Sequence, residues 1–156
     1  RDCHSLSYHS SDGAWVYEGG GSGGGAAFSR DGGRTWAKAG QGLDRHYGWA
    51  VAADPTDPTT WYLSVSPDPY KAHGDGKGGA QAYIFRRDGA GWRRLSSGLP
   101  QPLDHMPYAL ITDPAVPGSL YAGLSNGDLW HSADRGESWG QLPVNLGGIH
   151  RTLVMV

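Results

Sequence analysis

The octet Ser29-Arg30-Asp31-Gly32-Gly33-Arg34-Thr35-Trp36 returns late in the chain as Ser132-Ala133-Asp134-Arg135-Gly136-Glu137-Ser138-Trp139. Between them stands a worn copy, Arg86-Arg87-Asp88-Gly89-Ala90-Gly91-Trp92, one residue shorter and without the leading Ser. The Asp-to-Asp steps, 31 to 88 and 88 to 134, are 57 and 46 residues. Self-similarity at a period of about 50 is the mark of a repeat architecture.

A second element keeps the same rhythm. Trp49-Ala50-Val51-Ala52-Ala53-Asp54-Pro55 is echoed by Tyr108-Ala109-Leu110-Ile111-Thr112-Asp113-Pro114. Each is followed by another short apolar run, Trp61–Val65 and Leu120–Leu124, and the first module has weaker versions, His4–Tyr8 and Trp15–Tyr17. Each module therefore reads as four strands: one before the Asp-Pro turn, one after it, one running into the Asp motif and one leaving from the Trp. Strands of about five residues between Gly, Pro, Asn and Asp turns fit propeller blades better than a sandwich. The expected fold is all-β, a β-propeller portion of about three four-stranded blades. The modules run about 1–44, 45–104 and 105–147, with 148–156 the first strand of a further blade.

Composition agrees. The 26 Gly and 10 Pro among 156 residues break helices throughout. The 7 Trp, 8 Tyr and 2 Phe are too many for a chain without a packed interior. With 13 Lys and Arg against 15 Asp and Glu, the net charge of -2 supplies no basic field to hold nucleic acid. The single cysteine, Cys3, makes no internal disulfide, and no apolar run approaches the roughly 20 residues of a membrane span.

The octet has a structural task. The carboxylates of Asp31, Asp88 and Asp134 can accept turn N–H groups, and Gly33 and Gly136 can take positive φ. The hydroxyls of Ser29, Thr35, Ser132 and Ser138 can bond across the hairpin, leaving Trp36, Trp92 and Trp139 to bury large rings.

Ser-x-Asp-x-Gly-x-Thr/Ser-Trp resembles the Asp-box, or bacterial neuraminidase repeat, of sialidases, some xyloglucanases, sortilin-type receptors and photosystem II assembly factors. The resemblance covers the chain as three modules and implies a propeller. It implies no single function, because enzymes, receptors and assembly factors share the repeat. Families of this kind are often exported. In them the ligand site lies opposite the Asp-box turns, near the axis, on the face made by the loop from strand two to strand three and the loop between blades.

Those loops carry Asp44-Arg45-His46-Tyr47, Asp104-His105 and His150-Arg151, with His4 equivalent in the first module. The middle module adds an insertion, Pro67–Gly79, holding Tyr70 and His73. Arg45, His46, Tyr47, Tyr70, His73, His105, His150 and Arg151 are therefore the ligand-binding candidates, and Asp44 and Asp104 the acid/base candidates. No local spacing supports a metal, and no cofactor motif survives inspection. Gly19–Gly25 matches the dinucleotide and hydrolase patterns but precedes a strand, so it reads as a flexible loop on the ligand face. Gly76-Lys77 lacks the rest of a phosphate loop. A sialidase would need an Arg-Ile-Pro motif and a Tyr–Glu pair, and the chain has only two Glu, Glu18 and Glu137. Arg86, Arg87, Arg93 and Arg94 form a basic hairpin that either stays solvated or receives an acidic partner.

The functional expectation is a non-catalytic binding or scaffold propeller presenting these loops to a glycan or protein partner. The alternative is a glycoside hydrolase with part of its active site in other blades. Three blades do not close a disc of roughly 4–8. The chain, which opens on Arg1, is thus expected to be a segment of a longer one, with a second copy in trans as the other route to closure.

Overall fold

The computed structural model describes residues 2–21, 25–74 and 79–155. Twelve strands form three antiparallel four-stranded sheets, each a meander in chain order. The first holds β1 (Cys3–Tyr8), β2 (Val16–Gly20), β3 (Ala26–Ser29) and β4 (Ala37–Lys38). The second holds β5 (Tyr47–Asp54), β6 (Asp57–Ser66), β7 (Tyr83–Asp88) and β8 (Gly91–Leu95). The third holds β9 (Pro107–Thr112), β10 (Leu120–Leu124), β11 (Asp128–Ser132) and β12 (Gly140–Asn145). The sheets stack face to face through β1, β5 and β9, which makes these the inner strands and the sheets three propeller blades.

The middle sheet is buried on both faces, and its sequence shows why. Along β6, Trp61, Leu63 and Val65 join Tyr17 of the first sheet in one core, while Tyr62 joins Tyr108, Leu110 and Leu120 of the third in another. Alternation is therefore apolar on both sides, as expected of a strand covered twice. The Asp-Pro turns work as their residues dictate: the Asp54 carboxylate accepts Thr56 N (2.8 Å) and Thr56 Oγ1 (2.6 Å), and Asp113 accepts Ala115 N (2.8 Å).

The two full octets fold alike. Ser29 Oγ accepts Gly33 N at 2.9 Å, and Asp31 accepts Thr35 N at 2.8 Å and Thr35 Oγ1 at 2.6 Å. Ser132 accepts Gly136 N at 2.8 Å, and Asp134 accepts Ser138 N at 2.9 Å and Ser138 Oγ at 2.5 Å. Gly33 and Gly136 stand at φ +91 and +84, as the turn requires.

Several sequence expectations need correction. The worn copy makes no such turn. Lacking the Ser and one residue, it closes as a two-residue hairpin between Asp88 and Gly91, with Asp88 accepting Ala90 N and pairing with Arg86 at 3.8 Å. Trp36 is not buried: it is 38% exposed, because the ring of the last octet packs on the second sheet whereas no sheet among the described residues faces Trp36. Arg151–Met155 are not in a strand, and Leu153 packs against the core of the third sheet. Gly19 and Gly20 belong to β2 rather than a loop, and a Cβ on Gly19 would come within 2.4 Å of the Trp49 carbonyl oxygen. Ser22, Gly23 and Gly24 fall outside the described residues. The insertion contains a short helix, α1 (Pro69–His73), with Asp68 accepting Lys71 N at its start; Asp75, Gly76, Lys77 and Gly78 lie outside the described residues.

Candidate functional site

The inner strands run in one direction. His4 Nδ1 and Ser5 Oγ meet the carbonyls of Gly48 and Trp49, while His9 Nε2 meets the Asp54 carbonyl and Thr112 Oγ1 the Ala53 carbonyl. The starts of β1, β5 and β9 therefore share one end of the stack. The octets lie at the other end, bonded to the turns after β1 and β9 through Gly32 N to Ala14 O and Arg135 N to Gly118 O.

At the starting end, five rings from four elements converge. His4 stacks on Trp49 at 4.4 Å, and Trp49 meets the edges of His73 and Tyr108 at 5.2 and 4.9 Å. Tyr47 lies between His4 and His73. The hydrogen bonds have a direction. The Tyr108 hydroxyl donates to the Ala72 carbonyl (2.9 Å), so it accepts from His73 Nδ1–H (2.5 Å). That leaves His73 Nε2 to accept from the Tyr47 hydroxyl (2.6 Å). The chain of bonds requires a neutral His73 and ties α1 to β5 and β9. Burial, and then the nearby charge on His4, push the His73 pKa below its usual value. Burial raises the hydroxyls of Tyr47 and Tyr108, the latter to about 12. His4 also bonds Asp2 at 3.0 Å, and that bond holds the carboxyl of Asp2 below the usual carboxylate range.

From this cluster a trough of about 530 Å³ runs along the inner strands. Its walls carry Cys3, His4, Ser5, Trp49, Tyr108 and Arg151, so it combines aromatic faces with hydrogen-bond donors and a guanidinium. Such a surface can stack a planar or sugar-like face and bond polar edges.

The sequence candidates divide on this geometry. Tyr47 and His73 join the cluster, and Arg151 lines the trough. His46, Tyr70 (88% exposed), His105 and His150 are exposed on loops, or in α1, at the same end but outside it. His105 reaches Ser125 at 3.5 Å, and His150 lies beside Gly148 on the same corner. Arg45 spends its guanidinium on Gln81 O, on Asp44 and on the Tyr83 ring, and Arg94 reaches Asp44 and Tyr83 from the other side. Asp44 is thereby tied to two arginines, and neither it nor Asp104 lines the trough. The basic hairpin is spent within the stack as well. Arg86 and Arg93 hold Glu137, and Arg87 covers Phe28. Among the described residues no three His, Cys, Asp or Glu side chains group as metal ligands would. No helix among them is long and apolar enough to cross a membrane. Sequence reasoning missed Trp49 and Tyr108, whose place at the head of the two echoed inner strands was the available signal.

No family model matches the chain, and no curated protein matches it. Solved structures do. An ancestral GH74 enzyme superposes with a TM-score of 0.63 at 15% identity, covering 90% of this chain and 18% of that one. YCF48 bound to D1 peptide gives 0.63 at 17% identity over 92% of this chain and 41% of that one. YCF48 from Cyanidioschyzon merolae gives 0.62 at 17% identity over 90% and 40%. This likeness is one of fold, that of a β-propeller, and the chain spans less than half the length of each of these structures.

Proposed function

We propose that this chain is a non-catalytic binding module, a portion of an Asp-box propeller that presents its inner-strand end to a glycan or protein partner. In this reading Ser29–Trp36 and Ser132–Trp139 are Asp-boxes, the worn copy is a degenerate one whose turn has become a short hairpin, and the blades occupy about 1–44, 45–104 and 105–147. The supporting observation is the trough headed by Trp49, Tyr108 and His4 with Arg151 on its wall. That YCF48 has been seen with a peptide bound makes polypeptide a reasonable first ligand class to screen.

Glycan and peptide arrays, followed by calorimetry on the best binder, test the proposal. Trp49→Ala and Arg151→Ala should each weaken binding at least about tenfold, and aryl glycosides should not turn over. Turnover that disappears in Asp44→Asn or Asp104→Asn would replace this reading with that of a glycoside hydrolase.

A further inference from the structure

The three sheets repeat one ladder row. In the second sheet Ala52, Tyr62, Arg86 and Arg93 stand opposite one another and face the third sheet. The same row is Ser7, Tyr17, Phe28 and Ala37 in the first sheet. In the third it is Ile111, Tyr121, His131 and Gly140. Each sheet thus has a forward face built on this row and a rear face that carries its octet.

The junction between the second and third sheets shows how a full octet docks. Trp139 sits at 7% exposure with its backbone N donating to Ser97 O at 3.0 Å. Gly98, at φ +84, lets the Trp139 carbonyl approach. Two places before the Trp, Glu137 receives Arg93 in a two-pronged contact and Arg86 Nη1 at 2.9 Å. A carboxylate on the rear face thus meets guanidinium groups on the forward face.

In the first octet the residue at the place of Glu137 is Arg34, and it is exposed, as are Trp36, Lys38, Leu6 and Tyr8 on the same rear face. The sign of the key is reversed: Arg34 and Lys38 are the exposed charges around Trp36, while the one carboxylate of this rear row, Glu18 between Leu6 and Lys38, is buried beneath them. The chain's own forward face at the far flank does not match it. Ile111, Tyr121, His131 and Gly140 offer no carboxylate, and the side chain beside the position of Arg93 is an imidazole. That face therefore gives Arg34 no counterpart to the pairing of Arg93 with Glu137.

We propose that the rear face of the first sheet is a docking surface for a β-sheet other than this chain's third, one that receives Trp36 and presents a carboxylate to Arg34 where the second sheet presents Arg93 to Glu137. The occupant is an acidic-faced blade, not a second copy.

The whole chain tests this. Gly140 is the counterpart of Arg93, and a Cβ there meets nothing within 4 Å, so Gly140→Glu creates the missing carboxylate at little steric risk. Sedimentation should show that wild-type self-association, whatever its strength, is unchanged by Arg34→Glu. Gly140→Glu should strengthen head-to-tail association at least about tenfold, Arg34→Glu should abolish that gain, and Arg34→Glu with Gly140→Lys should restore it. A tight wild-type oligomer that Arg34→Glu disrupts would mean that a second copy is the partner. A Gly140→Glu chain that associates no better than wild type would overturn the charge rule. A fold control comes from Glu137→Arg, which should destabilise the stack and be rescued by Arg93→Glu; without rescue, the pairing that serves as template is not a specific one.

Discussion

The first and last octets are the same turn in different company. Their internal bonds agree to within about 0.2 Å, from the Ser hydroxyl under the glycine N–H to the carboxylate over the Thr or Ser. Yet Trp139 is 7% exposed and Trp36 38%. The turn is thus a local device, closed by its own side chains, whereas the burial of its Trp belongs to the sheet in front. Packing makes the octet part of a stack, and the stack has a direction.

The largest test of that contrast removes the rings. Trp139→Ala should cost about 3–5 kcal/mol in denaturant unfolding and Trp36→Ala less than about 1 kcal/mol. Equal losses would show that the first ring is covered after all. The glycines beside the tryptophans come next. A Cβ on Gly98 would lie 2.2 Å from the Trp139 carbonyl oxygen, whereas one on Gly42, at φ +94, would meet Trp92 at a comfortable 3.8 Å. Gly98→Ala should therefore cost about 3 kcal/mol, strain and clash together, and Gly42→Ala about 1 kcal/mol from strain alone.

Smaller effects should be the same at both ends. Ser29 and Ser132 are both buried and both accept the glycine N–H, so Ser29→Ala and Ser132→Ala should each cost about 1–2 kcal/mol. A difference as large as that between the rings would contradict the local account. The smallest effect is acid sensitivity. Hydrogen bonds from Thr35 and Ser29 bring the Asp31 carboxyl to about 2, and those from Ser138 and Ser132 do the same for Asp134. Each folded carboxyl titrates below its unfolded value. The stability it contributes is therefore complete above about pH 5 and fades as pH falls toward about 2. Asp31→Asn and Asp134→Asn should each flatten the acid limb of a melting-temperature profile by a similar amount.

Much of this was legible in the residues. The octets, the Asp-Pro turns and the spacing between them are local chemistry, and local chemistry is what a repeat preserves. The structure departed from expectation where a neighbour decides. Trp36 reads like Trp139 until the sheet in front is counted. Arg86, Arg93 and Arg94 read as a basic patch until Glu137 and Asp44 are brought from about 44–50 residues away. The site divided the same way. The candidate loops lie at the end of the stack where the ring cluster forms, since strand direction follows from the meander, but Trp49 and Tyr108 looked like ordinary strand residues. Their meeting with His4 arises from three strands converging, which no window of sequence contains.

The most direct measurement of the functional claim is the set of tryptophan indole N–H chemical shifts during titration with the best ligand from the arrays. Trp49 heads the trough and Trp15 lies at the opposite end, its carbonyl bonded to His9 N beyond β1. The account predicts that Trp49 moves most and that Trp15 stays still. Movement at Trp15 with Trp49 unchanged would place the ligand on the octet end and contradict it.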